Sequence, residues 1–571
     1  MKTPYDFVTL SQARSVLKTD KPLFADTETK GLYNEIRLLQ LYQPHLDKVL
    51  LIDTPNAVAT AAFLDCYDTK WHNAHYDITT IQQQSDTRWV PHAFDDTFLL
   101  ARLHFKDKEK FSLDQTFEYV LGYCPYTKQH LDKKALQKSD WSKLKLTEDQ
   151  LLYAATDVYY MPALWNAVKS HASNQNYELD KLTLRYCLDF QWNGMPLNKE
   201  KLFYRYEDNE QIIHSINLPI NANSYKQVRE WLGGIEESDA LALTKLSLEG
   251  NNRADNILTV RRLRKQNSFL DKFDTVDGRI YGKFLPSARS GRLTSKDQNL
   301  QQLPRKLKDM FEAPEDRVLI YADYAQLELR TICAITACLT MEKLFRSGED
   351  LHGFTAQMIF GDNWTKDQRN LAKTYNFSFL YGGGIAMLIT ILILQAGVLI
   401  SEEQANTDRR RWRNLWKEIY GWQEVGINKW RQGRLGSTPF GREYKAKMMT
   451  DQLNIENQGA GAEVAKLALH YFYPKLMAYN KEHNVDFMLC NFIHDSFITE
   501  GPNDPVHYKA VAKMKADAMQ QAWFEMSKLY KITDLPMPVD VIVGTNWGDI
   551  ENDDVHNIWE YSLEGMANAN V

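Results

Sequence analysis

VLIYADYAQLELRT, residues 318–331, is the stretch on which the reading of this chain turns. Val318, Leu319, Ile320 and Tyr321 make an apolar run short enough for a buried strand, and the run delivers Asp323 into a polar segment. An acid at a strand end is held by the sheet and can be aimed rigidly at a metal ion or a substrate. Beyond it, Leu327, Leu329, Ile332 and Ile335 fit a helix with one apolar side. The competing reading is an ordinary strand end with a solvated aspartate. The choice rests on how many other pieces of the chain match.

Working outward, Arg369, Lys373, Phe377 and Tyr381 recur every four residues, so on a helix they form one slowly drifting stripe. Two cations and two rings facing one ligand suit a nucleoside triphosphate, the cations on phosphates and the rings near sugar and base. A salt-bridged surface helix would explain the cations but not the rings. Before the strand, SARSGRLTSKDQNLQQLPR (287–305) gathers Arg289, Arg292, Asn299, Gln301 and Gln302 around a glycine. Such forks and amides grip sugar-phosphate backbone and groove edges. Arg261 and Lys265 lie on one helix side and could face phosphates, a solvated helix face being the alternative. Further on, Asn454 and Gln458 are spaced i, i+4, and FIHDSF places His494 and Asp495 between apolar residues, as in a tight hairpin.

The first third of the chain reads independently. In PLFADTETKG, Asp26 and Glu28 are two apart and share one face of a strand. Neighbouring carboxylates repel unless a cation lies between them, so the pair suggests an oxygen-rich site for magnesium or manganese. Asn73 with Asp77, and Tyr153 with Asp157, are spaced to share helix faces. Each pair is weak by itself, since many surface helices carry such pairs. Together they give four carboxylates and a tyrosine in one domain-sized stretch, an inventory for two-metal phosphodiester hydrolysis. Asp95 and Asp96 are read as structural or secondary.

At 571 residues the chain calls for several folding units. Hydrophobic content of 44% and charged content of 25% exclude disorder and name no function. A net charge of -6 means that any polyanion must be held by local basic patches. Six cysteines form no CxxC pair, which predicts reduced thiols. The N-terminal segment lacks a signal-peptide core and implies an intracellular, cytoplasmic protein. IAMLITILILQAGVLI (385–400) is shorter than the roughly 20 residues of a membrane span and is expected to be a buried helix with a turn, with no membrane partner.

These motifs carry a resemblance. DTE, NxxxD and YxxxD, in this order, resemble the 3′–5′ proofreading exonuclease of DNA polymerases. DYAQLELR resembles DYSQIELR of family A DNA polymerases, the bacterial polymerase I family. RNLAKTYNFSFLYGG matches that family's RxxxKxxxFxxxYG, and GRLTS with NLQQLP is similar to its GRLSS and NLQNIP. The resemblance spans essentially the whole chain.

It implies a mixed α/β and α+β multidomain fold: an RNase H-like exonuclease over 1–175, with a linker near 170–180, and a right-hand polymerase over 176–571. The thumb would span about 200–285, the palm 286–340 and 450–571, and the fingers 341–449. The implied exonuclease site holds two divalent ions on Asp26, Glu28, Asp77 and Asp157, one activating the attacking water and one stabilising the leaving oxygen, with Tyr153 orienting the water. The implied polymerase site holds two more on Asp323 and Asp495, with Tyr324. Glu328 would reject a ribose 2′-hydroxyl, and Gln326, His352, Arg369, Lys373, Phe377 and Tyr381 would bind the nucleotide. Arg292, Asn299, Gln301, Asn454, Gln458, His494, Arg261 and Lys265 would contact DNA.

Three positions depart from or refine the family pattern: Ser496 where an acid follows HD, Thr450 where an arginine is usual, and Phe377, which implies poor use of dideoxynucleotides. The expected function is template-directed DNA synthesis from deoxynucleoside triphosphates with proofreading, in phage genome replication, by a monomer on primer–template DNA, without a 5′ nuclease domain. A nuclease or repair factor with a crippled polymerase site, a non-enzymatic primer–template binder and a related RNA polymerase are the alternatives.

Overall fold

Asp26 and Glu28 lie on the central strand of a six-stranded sheet. Its strands are β1 (Tyr5–Phe7), β2 (Leu23–Thr29), β3 (Ile36–Tyr42), β4 (Val49–Asp53), β5 (Asp68–Trp71) and β6 (Ala93–Asp96), in the order β1-β4-β3-β2-β5-β6. β2, β3 and β4 are an antiparallel meander, whereas β5 and β6 run parallel to β2. Parallel pairs need crossovers, and the helix Ala74–Ser85 makes the one between β5 and β6. The helix Glu148–Tyr159 packs on β2, β3 and β4, its start fixed by a capping box between Thr147 and Gln150. Leu39, Leu41, Trp71, Ile78 and Ala154 are buried between these layers.

The computed structural model describes residues 3–31, 35–273, 275–552 and 559–561. It divides into two units, the first being Met1–Trp192 with Phe284–Gly291 and Phe440–Tyr444. Residue 175 stands at the start of a helix, Gln175–Asn193. Small polar residues at 170–174 read as a linker, yet Tyr177, Leu184 and Leu188 beyond them are buried in the first unit's core, and apolar burial carries the unit on to Trp192.

In the second unit the opening stretch is β7 (Arg317–Tyr324), the middle of a five-stranded antiparallel sheet. With β8 (Met488–Ile493), β9 (Ser496–Pro502), β10 (Val539–Gly544) and β11 (Trp559–Tyr561), the order is β8-β9-β7-β10-β11. The long helices Met449–His483 and Pro505–Ser527 pack together beside it. Alternation places Ala322 and Tyr324 toward the helices, where the Tyr324 hydroxyl donates to the Met519 carbonyl at 2.8 Å. Buried Lys515 donates to the carbonyls of Ile320 and Phe497. Tyr321 and Asp323 face the other way and stay half-buried.

Four helices, Lys199–Ile216, Tyr225–Trp231, Ala240–Leu248 and Asn252–Leu270, share a small core of Ala222, Val228, Leu243 and Ile257. The apolar run at 385–400 is an α-helix, Ile385–Ile391, continued by a π turn that Gly397 closes at φ +63°. It is buried on one side only: Leu388 and Leu392 are inaccessible, whereas Met387 and Leu394 are 58% and 45% exposed. A segment this short has one packing face, so the expectation of a buried helix is corrected to a half-buried one. Among the described residues no helix is long and apolar enough to cross a membrane. All six cysteines are free thiols, four of them buried.

Candidate active sites

In the first unit, β2 and the two helices bring four acids together. One oxygen from each of Asp26, Glu28 and Asp157 lies within 4.8 Å of the others. Asp77 stands beside them, its Oδ1 accepting from the Thr27 backbone N–H at 2.9 Å and the Thr27 hydroxyl at 2.7 Å. Burial, then mutual repulsion, pushes the Asp26 and Glu28 carboxyls well above their usual range. Burial likewise pushes Asp77 and Asp157 up to about 7. A group of acids this reluctant to ionise suits a bound cation, and the oxygen-only donor set suits a hard one. Tyr153 donates to Asp157, as expected from the i, i+4 spacing.

Two details differ from the sequence reading. Asn73 is not on the helix face with Asp77: it is the left-handed residue that precedes the helix, at φ +71°. Asp96 holds it there, accepting from the N–H groups of Asn73 and Ala74 at 2.9 and 3.0 Å. Tyr126 and Lys133 were not anticipated. The Tyr126 hydroxyl donates to Asp157. Lys133, paired with Asp114 at 2.5 Å, draws the Asp26, Glu28 and Asp157 carboxyls back down. No local spacing marks either residue, because both arrive from the segment between β6 and the helix Glu148–Tyr159.

In the second unit, Asp323 sits near the end of β7, and Asp495 occupies a two-residue hairpin turn between β8 and β9, where Ile493 pairs with Ser496. His494, at φ +56°, supplies the left-handed residue that so tight a turn requires. Burial, then the neighbouring Asp495, pushes Asp323 up to about 8; burial, then Glu328, pushes Asp495 up to about 6. Asp540 on β10 lies directly across from Asp323 and adds to its rise. It was not anticipated, since only register places it there. Ser496 is buried and donates to the Ile493 carbonyl at 3.0 Å, so it closes the turn.

The stripe is as spaced: Arg369, Lys373 and Phe377 lie on the helix Lys366–Leu380, and Tyr381 is its C-cap. The Tyr381 hydroxyl donates to Glu328 and accepts from Asn457 at 3.0 Å, while Arg292 donates to the other Glu328 oxygen at 2.5 Å. Glu328 is thereby clamped from two sides at the start of the helix Leu327–Thr336. Gln326 precedes it at φ +56° with its side-chain oxygen buried and without a hydrogen-bond partner among the described residues. Arg369 is paired with Asp350, and buried His352 bonds Asn376 at 3.0 Å. Burial, then Lys373, lowers His352 to about 4.

The remaining residues have separate places. Asn454 and Gln458 share the half-exposed side of Met449–His483. Asn299 caps a short 3₁₀ turn, and Gln301 donates to the Phe492 carbonyl at 3.2 Å, tying this loop to the strand that leads to Asp495. Lys265 is exposed. Arg261 turns back to the Ala222 and Ser238 carbonyls at 2.7 and 2.8 Å.

A family model described as DNA polymerase family A matches residues 198–549, more than half of the chain, and one described as 3′–5′ exonuclease matches residues 2–171. The chain belongs to DNA polymerase family A. It is a DNA polymerase with 3′–5′ exonuclease activity. It is 25% identical to DNA polymerase I of Aquifex aeolicus over 95% of this chain and 99% of that one. It is 26% identical to the thermostable DNA polymerase I of Thermus thermophilus over 59% of this chain, and spans 43% of that relative's length. The POL domain of Pol1 from M. smegmatis, solved in complex with DNA primer-template and dNTP, shares the fold with a TM-score of 0.75 at 19% identity, covering 93% of this chain and 96% of that one.

Proposed function

We propose that the chain extends primer–template DNA from deoxynucleoside triphosphates by two-metal phosphoryl transfer, as a monomer, and trims mispaired 3′ ends at a second two-metal site. The observation that carries this is a cluster of acids in each unit: oxygens of Asp26, Glu28 and Asp157 within 4.8 Å of one another in one, and in the other Asp323 near a strand end with Asp495 in a hairpin turn. Burial, then the neighbouring acids, raises the Asp26, Glu28 and Asp323 carboxyls. Asp323 and Asp495, with Tyr324, would hold ions in one unit, and Asp26, Glu28, Asp77 and Asp157 in the other. Bound magnesium or manganese supplies Lewis-acid stabilisation of phosphate charge and lowers the pKa of the attacking oxygen.

The side chains divide the rest of the work. Arg369 and Lys373 neutralise the triphosphate, and Phe377 lies against sugar and base. Glu328, fixed by Tyr381 and Arg292, fills the space a 2′-hydroxyl would need and leaves it unpaired. In the first unit Tyr153 and Tyr126 orient Asp157, and Tyr153 positions the water. Arg292, Asn454, Gln458 and His494 line the duplex, with Asn299, Gln301 and Lys265 beside it. Thumb, palm and fingers correspond to 200–285, to 286–340 with 450–571, and to 341–449. Phage genome replication in a host cytoplasm is the setting we assign.

A nuclease whose polymerase site is crippled is the second reading, favoured by Ser496 and Thr450. Primer extension with magnesium and four nucleotides decides between them. Extension is expected, and its failure with folded protein that still digests 3′ ends would establish the second reading.

A further inference from the structure

Three segments distant in sequence meet within the first unit: the helix Thr97–His104 with the loop after it to Phe111, and the strips Phe284–Gly291 and Phe440–Tyr444. They line a shallow, open cleft. Its walls carry Arg102, Lys106, Lys108, Arg289 and Arg442 against one acid, Glu443. Lys106 pairs with Glu443, and three acids outside the lining, Asp180, Glu109 and Asp107, pair with Arg442, Arg289 and Lys108. Among the described residues, five cations facing four acids leave one positive charge over in a chain whose net charge is -6.

The guanidinium planes are held by rings. Arg102 stacks over Phe98 and Phe111 at 5.5 and 5.1 Å, and Arg289 over Tyr444 at 4.8 Å. Arg102 Nε is buried, with no hydrogen-bond partner among the described residues. Burial, then Arg442, lowers the Arg102 guanidinium to about 10, while Asp180 draws it back up. The cleft is tied to the helix that carries Asp77: the Phe111 carbonyl accepts from His72 Nε2 at 2.9 Å, and His72 immediately precedes Asn73, the left-handed residue before that helix.

We infer that this cleft binds backbone phosphates of single-stranded DNA on its way to the Asp26–Asp77 carboxylates, with Arg102 and Arg289 as the phosphate forks. The inference rests on the exonuclease reading of those carboxylates. Four clustered acids repel a polyanion, so a strand that reaches them needs cations beside its path. Planar guanidinium forks match phosphate oxygens, and an open basic groove with rings suits a single strand better than a free ion.

The test uses the full chain carrying Arg102→Gln and Arg289→Gln together, with two substrates. A single-stranded dodecamer reaches the cleft, whereas the p-nitrophenyl ester of thymidine 5′-monophosphate reaches only the carboxylates. KM for the dodecamer is expected to rise about tenfold, and the slope of log affinity against log salt to shrink by about 1.4, at ~0.7 for each phosphate that an arginine no longer neutralises. kcat/KM for the ester should match wild type. An unchanged dodecamer KM overturns the inference, as does an equal loss on both substrates, which would place the arginines' effect at the carboxylates or in the fold. Displacement of the dodecamer by millimolar inorganic phosphate at constant ionic strength would assign the cleft to a free anion and also overturn it. If wild type hydrolyses neither substrate, the exonuclease reading alone has failed. Anisotropy of a labelled dodecamer then judges the cleft, and equal binding by variant and wild type overturns it.

Discussion

Asp77→Asn should stabilise the first unit while destroying its activity. The amide keeps an Oδ1 that can accept both Thr27 hydrogen bonds, so little geometry changes. What disappears is a carboxyl pushed up from 3.8 to about 7 by burial. The sign follows from proton counting: between these values the folded chain keeps a proton that the unfolded chain has released, so stability falls as pH rises from about 4 to about 7. Above 7 the full cost applies, up to ~4 kcal/mol at 1.36 kcal/mol for each tenfold change. Without divalent ions at pH 8, hydrogen exchange of the peptides covering Leu23–Thr29 and Glu148–Tyr159 should therefore slow in the variant by at least about tenfold, after correction for intrinsic rate. At pH 5 the difference should shrink to about 1.6 kcal/mol, and below about pH 4 it should vanish. Magnesium should protect wild type at pH 8 and the variant much less, since a ligand of the folded state stabilises only what binds it. Faster exchange in the variant at pH 8, or the same gain at both pH values, would refute the reasoning.

Three further perturbations probe the second unit. Glu328→Ala empties the space clamped by Tyr381 and Arg292, and discrimination against ribonucleotides should fall by at least about tenfold in single-nucleotide incorporation, deoxynucleotide use changing less. Asp350→Asn keeps the cap on the His352 N–H but uncouples Arg369; for a pair this exposed, KM for the incoming nucleotide should drop by up to about fivefold with kcat unchanged. Arg261→Met removes two bonds to backbone carbonyls, so the four-helix region should lose about 1–2 kcal/mol in local opening measured by exchange, while the salt dependence of DNA binding stays as in wild type.

What was legible in the sequence is what local spacing encodes. Asp26 and Glu28 share a strand face, Tyr153 and Asp157 a helix face, and residues 369–381 a stripe, because periods of 2 and 3.6 fix those relations before any tertiary contact forms. The hairpin at His494 and Asp495 was legible for the same reason. Partners that tertiary folding delivers were not. Tyr126 and Lys133 reach the acids from a stretch without periodic signal, and Asp540 meets Asp323 through strand register alone. Asn73 looked like a helix-face residue because spacing cannot reveal the left-handed turn that Asp96 holds. The strips at 284–291 and 440–444 lie far along the chain from the first unit, yet they complete its basic cleft.

The account's central claim is that one chain holds two separate acid centres with two chemistries. It is tested most directly by Asp323→Ala and Asp26→Ala, each assayed on one labelled primer–template with magnesium, with and without nucleotides. The account predicts that Asp323→Ala abolishes extension and still digests 3′ ends, and that Asp26→Ala abolishes digestion and still extends. Extension that survives Asp323→Ala, or digestion that survives Asp26→Ala, would contradict it.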